Sequence, residues 1–144
     1  MPISITPFAG PVVVTVAYVA YYYATMIFIL RTKQRLIDDY RQRGEQFDRY
    51  FGMDREMLAA DRVQLNMLEH MPPFLLLLWL NAVFVSPAFA TAGGAAYLLS
   101  RMVYPFVLGR RLGRGIRMLV LTATVPGYLV ITAFSVALLW TLAR

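Results

Sequence analysis

The sequence predicts an all-α integral membrane protein, a four-helix bundle forming one domain over residues 1–144. Three observations carry this. Of the 144 residues 59% are hydrophobic and only 15% charged, with a mean hydropathy of +0.57, far from an average soluble domain. The charges are also segregated: residues 1–30 have none, 31–62 have fifteen, 63–100 have only Glu69, 101–117 have five arginines and 118–143 have none. A soluble fold needs charge on every surface element. Finally, the uncharged runs have the roughly 20-residue length that spans a hydrocarbon core about 30 Å thick.

The first span is predicted over 11–30 and ends abruptly at Arg31. No basic region precedes it, so it reads as a span and not as a cleaved signal. Its Tyr18, Tyr21, Tyr22 and Tyr23 lie mid-span, away from the interface belts, and are expected to pack between helices with their hydroxyls on polar partners. Segment 31–62 holds eight basic and seven acidic side chains, and reads as a solvated loop or helical extension. Gly44 and Gly52 are the expected breaks, and Asp54 the expected cap of the helix running into span two. That second span covers about 63–85. After a Ser86-Pro87 turn comes the third, about 88–108, whose early Ala90, Ala92, Gly93 and Gly94 permit close helix approach. The fourth covers about 118–142.

Thirteen of the fourteen Lys and Arg fall in 31–62 and 101–117. By the positive-inside rule both connections face the cytoplasm and both termini the opposite side. The same segregation accounts for the net charge of +6 without a nucleic-acid partner. With no cysteine, disulfides, zinc–thiolate sites and Cys nucleophiles are excluded, and a single histidine argues against a His-rich metal site.

The chemistry-bearing stretch is Arg62 to Pro73. Arg62, Asn66 and Glu69 are spaced four and three apart and so share a helix face. A rise of 1.5 Å per residue separates Arg62 from Glu69 by about 10.5 Å, too far for a simple direct pair. A face with a cation, an amide and an anion suits a zwitterionic ligand whose carboxylate meets Arg62 and whose amine meets Glu69. The alternative is that these side chains only bond neighbouring helices. A charge this deep costs about 2.5–3.5 kcal/mol on insertion scales, so Glu69 needs a partner or a function. A lone bundle would turn such groups toward lipid, so subunits are expected to associate. His70, one residue off this face, reads as structural, bonded to a backbone carbonyl. Pro72 and Pro73 leave the Leu68 and Glu69 carbonyls without their usual helical donors, and the expected kink opens the helix beside Glu69. On the third span Arg101 and Tyr104 are three apart, and Arg110, Arg111, Arg114 and Arg117 follow. Arg110 and Arg111 read as a topogenic cluster.

The run Arg62-x-Gln64-x-Asn66-x-x-Glu69-x-x-Pro72 resembles the second-helix motif of the MAPEG family, membrane-associated proteins in eicosanoid and glutathione metabolism. Four spans, chain length and the basic connections agree with it. The resemblance implies a homotrimer with glutathione held between subunits near the cytoplasmic face. It places Arg62, Asn66 and Glu69 on glutathione's carboxylates and amine, Gln64 and Arg31 as contributions across the subunit interface, and Tyr104 and Arg101 as third-helix ligand contacts. The sequence departs from the leukotriene-synthase-like branch at His70, where tyrosine is frequent, and at Leu108, which replaces a second tyrosine. Counted from Arg101, prostaglandin-synthase-like spacing puts the catalytic arginine at Arg117, and the shorter leukotriene-synthase-like loop puts it nearer Arg114. Arg117 abuts the apolar Met118-Leu-Val-Leu run, where a cation perturbs a thiol more than in water. Arg114 lies between two glycines.

The expected function is a glutathione-dependent membrane transferase or peroxidase acting on a lipophilic small-molecule electrophile or lipid peroxide, reached through the lipids at a crevice between subunits. The expected location is a bacterial inner membrane or the endoplasmic reticulum. One rival is a non-catalytic, lipid-binding scaffold of the same family. The other, a small four-span exporter, needs a carboxylate in span one, which carries no charge.

Overall fold

A computed structural model describes residues 5–113 and 118–144. After a 3-10 turn at Thr6–Phe8, four helices follow: α1 (Ala9–Gln42), α2 (Arg55–Phe84), α3 (Pro87–Leu108) and α4 (Met118–Leu142). Among the described residues there is no strand. Three helices, α1 with its leading 3-10 turn, α2 and α4, are long and apolar enough to cross a membrane. The third predicted span, α3, is not among those three. It is the helix diluted by Gly, Ala, Ser100 and Arg101, and its role is to be packed against.

At 1.5 Å per residue α1 and α2 are about 50 and 45 Å long, well beyond a 30 Å hydrocarbon core. Of the two readings of segment 31–62, the helical extension therefore holds for both flanks. Ile29 and Leu36 of α1 pack on Met57 and Ala60 of α2, with Phe47 of the intervening loop against them. The breaks fall where the glycines predict, with Gly44 at φ 73° just past the end of α1.

Asp54 caps α2, its Oδ1 accepting the Glu56 and Met57 amides at 2.9 and 3.0 Å while Tyr40 donates to Oδ2 at 3.0 Å. Burial opposes its charge, but the Met57 amide, the Tyr40 hydroxyl and the Glu56 amide outweigh that and hold the carboxyl below its ordinary value. The sign follows: the cap stabilises fully above the ordinary value of about 3.9 and is lost as pH falls through the lowered one. Asp54→Ala is expected to cost about 1 kcal/mol of stability at neutral pH, read by thermal unfolding in one detergent, with the difference from wild type closing below about pH 4. A pH-independent difference would assign the loss to packing instead.

Within the bundle α2 and α3 each contact all the other helices, while α1 and α4 sit apart at opposite corners. The core at the end away from the charged loop joins Val14 and Tyr18 of α1, Phe74 and Leu78 of α2, Ala90 and Tyr97 of α3 and Phe134 of α4. Phe74 and Tyr97 stack at 3.9 Å with rings 9° apart. The small residues of α3 serve the predicted purpose. A methyl on Gly94 would lie 2.8 Å from both Leu78 Cδ1 and Val14 Cγ1. The tyrosine run divides. Tyr18 is fully buried and donates to the Met67 carbonyl at 3.1 Å, and Tyr21 donates to the Arg101 carbonyl at 3.4 Å. Tyr23 turns outward, 62% exposed, because three consecutive helical positions cannot share one face.

Candidate functional site

The predicted polar face of α2 divides between two surroundings. Asn66 turns into the bundle and is buried, whereas Arg62 and Glu69 stay about half exposed. The two ends of the face do approach each other, with Arg62 Nη1 4.0 Å from Glu69 Oε1. This corrects the expectation of two groups too far apart to pair, which counted backbone rise and ignored side-chain reach. At that distance and exposure the pair is weak, and both side chains keep most of their capacity for other partners.

Asn66 meets Arg101, the largest fully buried side chain. Arg101 Nη1 donates to Asn66 Oδ1 at 2.7 Å, Nη2 to the Ala123 and Thr124 carbonyls at 3.3 and 3.5 Å, and Nε to Ser100 Oγ at 3.4 Å. The guanidinium also lies 5.2 Å over the Tyr97 ring. Room for it comes from α4, since a methyl on Gly127 would lie 2.5 Å from Nη2. Every one of these partners is neutral, so the charge is solvated by dipoles and not cancelled. Because arginine only donates, the contact fixes the Asn66 amide with its oxygen toward Arg101. Asn66 Nδ2 then has no partner among the described residues.

The remaining predicted residues surround this pair unevenly. Tyr104 is buried against Ala59, Val63 and Ala123, its hydroxyl without a partner among the described residues. Gln64 and Arg62 line an outward cavity of about 440 Å³ with Asp61, Leu65 and Leu112. Arg31 is exposed on α1. His70 packs edge-on against Tyr128 at 5.1 Å, in place of the expected bond to a carbonyl. Helix α2 runs unbroken through Pro72 and Pro73. Arg114 and Arg117 lie outside the described residues.

Sequence reasoning missed how the neighbouring connections are tied to this face. Arg49 makes two bonds to Asp61, at 2.8 and 2.9 Å, fastening the first loop beside Arg62. The Leu112 amide donates to the Arg55 carbonyl at 2.9 Å, and Arg55 Nε returns a bond to the Leu112 carbonyl at 2.6 Å. The third connection is thus held to the start of α2, with Leu112 in the wall of the Arg62 cavity. A basic residue two helical turns before Arg62 at the head of α2 was a visible signal, but its partner 57 positions away was not.

Compared with protein-family models, residues 8–143 match the MAPEG family. The chain belongs to the MAPEG family. Comparison with individual curated proteins gives no match. Membership makes this an integral membrane protein of the family of eicosanoid and glutathione metabolism, in agreement with the apolar helices and the second-helix motif.

Three features of this MAPEG chain fit glutathione, a zwitterion with two carboxylates, one amine and a thiol. Arg62, in the wall of a cavity, and Glu69, 4.0 Å from it, supply opposite charges. Asn66 Nδ2 is a fixed donor between them, held by a buried cation. Tyr104 brings an uncommitted hydroxyl. The arrangement can bind and orient such a ligand, and the uncancelled charge of Arg101 favours anions nearby.

Proposed function

We propose that the protein is a glutathione-dependent transferase or peroxidase for lipophilic electrophiles, working as a homotrimer with glutathione near the cytoplasmic face. The observation that carries this reading is the Arg62–Asn66–Glu69 face. Its two charges are exposed and weakly paired, while its middle amide is oriented by Arg101 with a donor left over. A face serving only helix packing would be expected to bury or pair all three.

Glutathione would supply the thiol nucleophile that this cysteine-free chain lacks. Arg62 would hold a carboxylate, Glu69 the amine and Asn66 Nδ2 a further oxygen, while Gln64 and Arg31 would reach the ligand of the neighbouring subunit. Tyr104 would donate its hydroxyl. Arg117, or Arg114 in the shorter alignment, would stabilise the ionised sulfur. The outward opening of the Arg62 cavity favours completion of the site by a second copy. The lipophilic substrate would enter from the bilayer side of that junction.

Native mass spectrometry in mild detergent tests assembly and ligand together. Wild type is expected as a trimer carrying glutathione. Glu69→Gln and Arg62→Ala are expected as trimers with affinity weakened by about 1.5–3 kcal/mol each, the scale of a hydrogen bond to a charged group. Monomer alone across detergents removes the trimer. Unchanged affinity with reduced thermal stability makes the face purely structural. The proposed orientation, both termini away from the cytoplasm, is read by a C-terminal alkaline phosphatase fusion, active if right and silent if wrong.

A further inference from the structure

A second constellation lies at the charged-loop end of the bundle, on the α1–α3 side and apart from the Arg62 face. Glu56, in the first turn of α2 and nearly buried, accepts Arg110 Nε at 2.7 Å and also pairs with Arg35. Arg35 in turn lies 3.4 Å from Asp39. These groups line a polar cavity of about 780 Å³ that also holds Arg43 and Arg111. Four guanidinium groups line it with two carboxylates, and Arg43 also pairs with Glu45 at 3.7 Å, which leaves one cation in surplus. Arg111 has no hydrogen bond or ion pair among the described residues.

Glu56, Gly109 and Arg110 also form the floor of a second cavity, about 640 Å³, running up the cleft between α1 and α3. Its walls are apolar, built from Ala24, Phe28, Val63, Met102 and Phe106. From Thr32 up to Tyr21 it follows twelve residues of α1, a rise of about 16 Å, the depth of one leaflet of a 30 Å core. Phe106 and Phe28 are 85% and 55% exposed at its mouth, as surfaces facing lipid would be. It shares no lining residue with the Arg62 cavity.

We propose that this cleft binds one anionic phospholipid, its phosphate in the arginine cradle and one acyl chain along the α1–α3 groove. The charge decides the occupant. Basic pockets between transmembrane helices at the interface select anionic headgroups, and here the cradle has a surplus cation at the foot of a leaflet-deep apolar groove. A second copy of this chain is a poor complement. Of its acidic side chains Asp54, Asp61 and Glu56 are already paired, and the chain carries +6 overall. This inference goes beyond the glutathione reading and does not depend on it.

The test uses delipidated full-length protein in detergent, with native mass spectrometry of added phosphatidylglycerol against phosphatidylcholine of the same chains. One phosphatidylglycerol per subunit is expected, preferred by about fivefold or more, the scale of one surplus arginine at the surface. Joint Arg110→Gln and Arg111→Gln substitution should reduce the preference to within about twofold. Ala24→Trp, which fills the groove, should weaken both lipids alike. Glycerol phosphate, a headgroup without chains, should not compete at equal concentration. Equal binding of the two lipids by wild type overturns the cradle, whatever the variants do. Full competition by glycerol phosphate overturns the lipid as the ligand. Phosphatidylglycerol binding should survive Arg62→Ala, so its loss there would overturn the separation of the two sites.

Discussion

Arg117→Ala is expected to lower turnover at least about 100-fold, a loss of about 2.7 kcal/mol of transition-state stabilisation, with a much smaller change in glutathione affinity. The split follows from what each group would touch. Arg62, Asn66 and Glu69 would meet the carboxylates and amine, which are charged before and after reaction and contribute uniform binding. A cation beside the sulfur would act on the one group whose ionisation sets reactivity. A free thiol has a pKa of about 8.5, so its nucleophilic form is scarce at neutral pH unless a positive charge favours it. The bonds between Leu112 and Arg55 hold the start of the third connection at the wall of the Arg62 cavity, and Met118 opens α4 immediately after Arg117. Position 117 is the one that meets the apolar helix. Arg114→Ala should leave turnover largely intact. Steady-state kinetics of both variants would show an exchange of phenotypes if the shorter alignment is right, and no effect of either if the protein is a scaffold.

Asn66→Leu is expected to cost about 1.5–3 kcal/mol of stability, because it strands a buried guanidinium. Arg101 is 2% exposed and its shortest bond is to Asn66. The remaining acceptors, at 3.3 to 3.5 Å, are too long to compensate. Joint Asn66→Leu and Arg101→Met substitution should recover much of the loss, since it removes the buried charge along with its partner. Gly127→Val should reach the same end from α4, pushing against Nη2 where even a methyl would lie 2.5 Å away. Thermal unfolding in one detergent measures all of these. If the double variant shows the sum of its two single losses, the pair is not the coupled unit described here. Gly127→Val also separates stability from ligand orientation, because displacing Arg101 and so releasing the Asn66 amide should weaken glutathione binding even where the fold holds.

Much of this was legible in the chain because hydropathy and charge are one-dimensional signals. The uncharged runs gave the helices, Gly44 the end of α1 and Asp54 the cap of α2, since each acts through neighbours within a turn. The third span shows the limit of that signal: Gly, Ala and a buried arginine dilute its hydropathy, yet its packing depends on those same residues. Contacts between helices were out of reach. Asn66 and Arg101 are 35 positions apart, and Glu56 and Arg110 are 54 apart. No spacing rule joins them. Arg62 and Glu69 failed differently, because the helical rise was right but the length of two flexible side chains was left out. Arg110, read from the sequence as topogenic, also bonds Glu56, a contact that its place in a basic cluster did not announce.

The central claim is that this MAPEG chain binds glutathione and favours its ionised thiol. Ultraviolet thiolate absorbance, followed as wild-type protein in detergent is titrated with glutathione at neutral pH, tests it most directly. The expected result is a saturable thiolate band whose midpoint pH lies below the free value of about 8.5, and which Arg117→Ala abolishes. A spectrum equal to the sum of protein and free glutathione, up to millimolar ligand, would contradict the account and leave the lipid-binding scaffold as the reading of this fold.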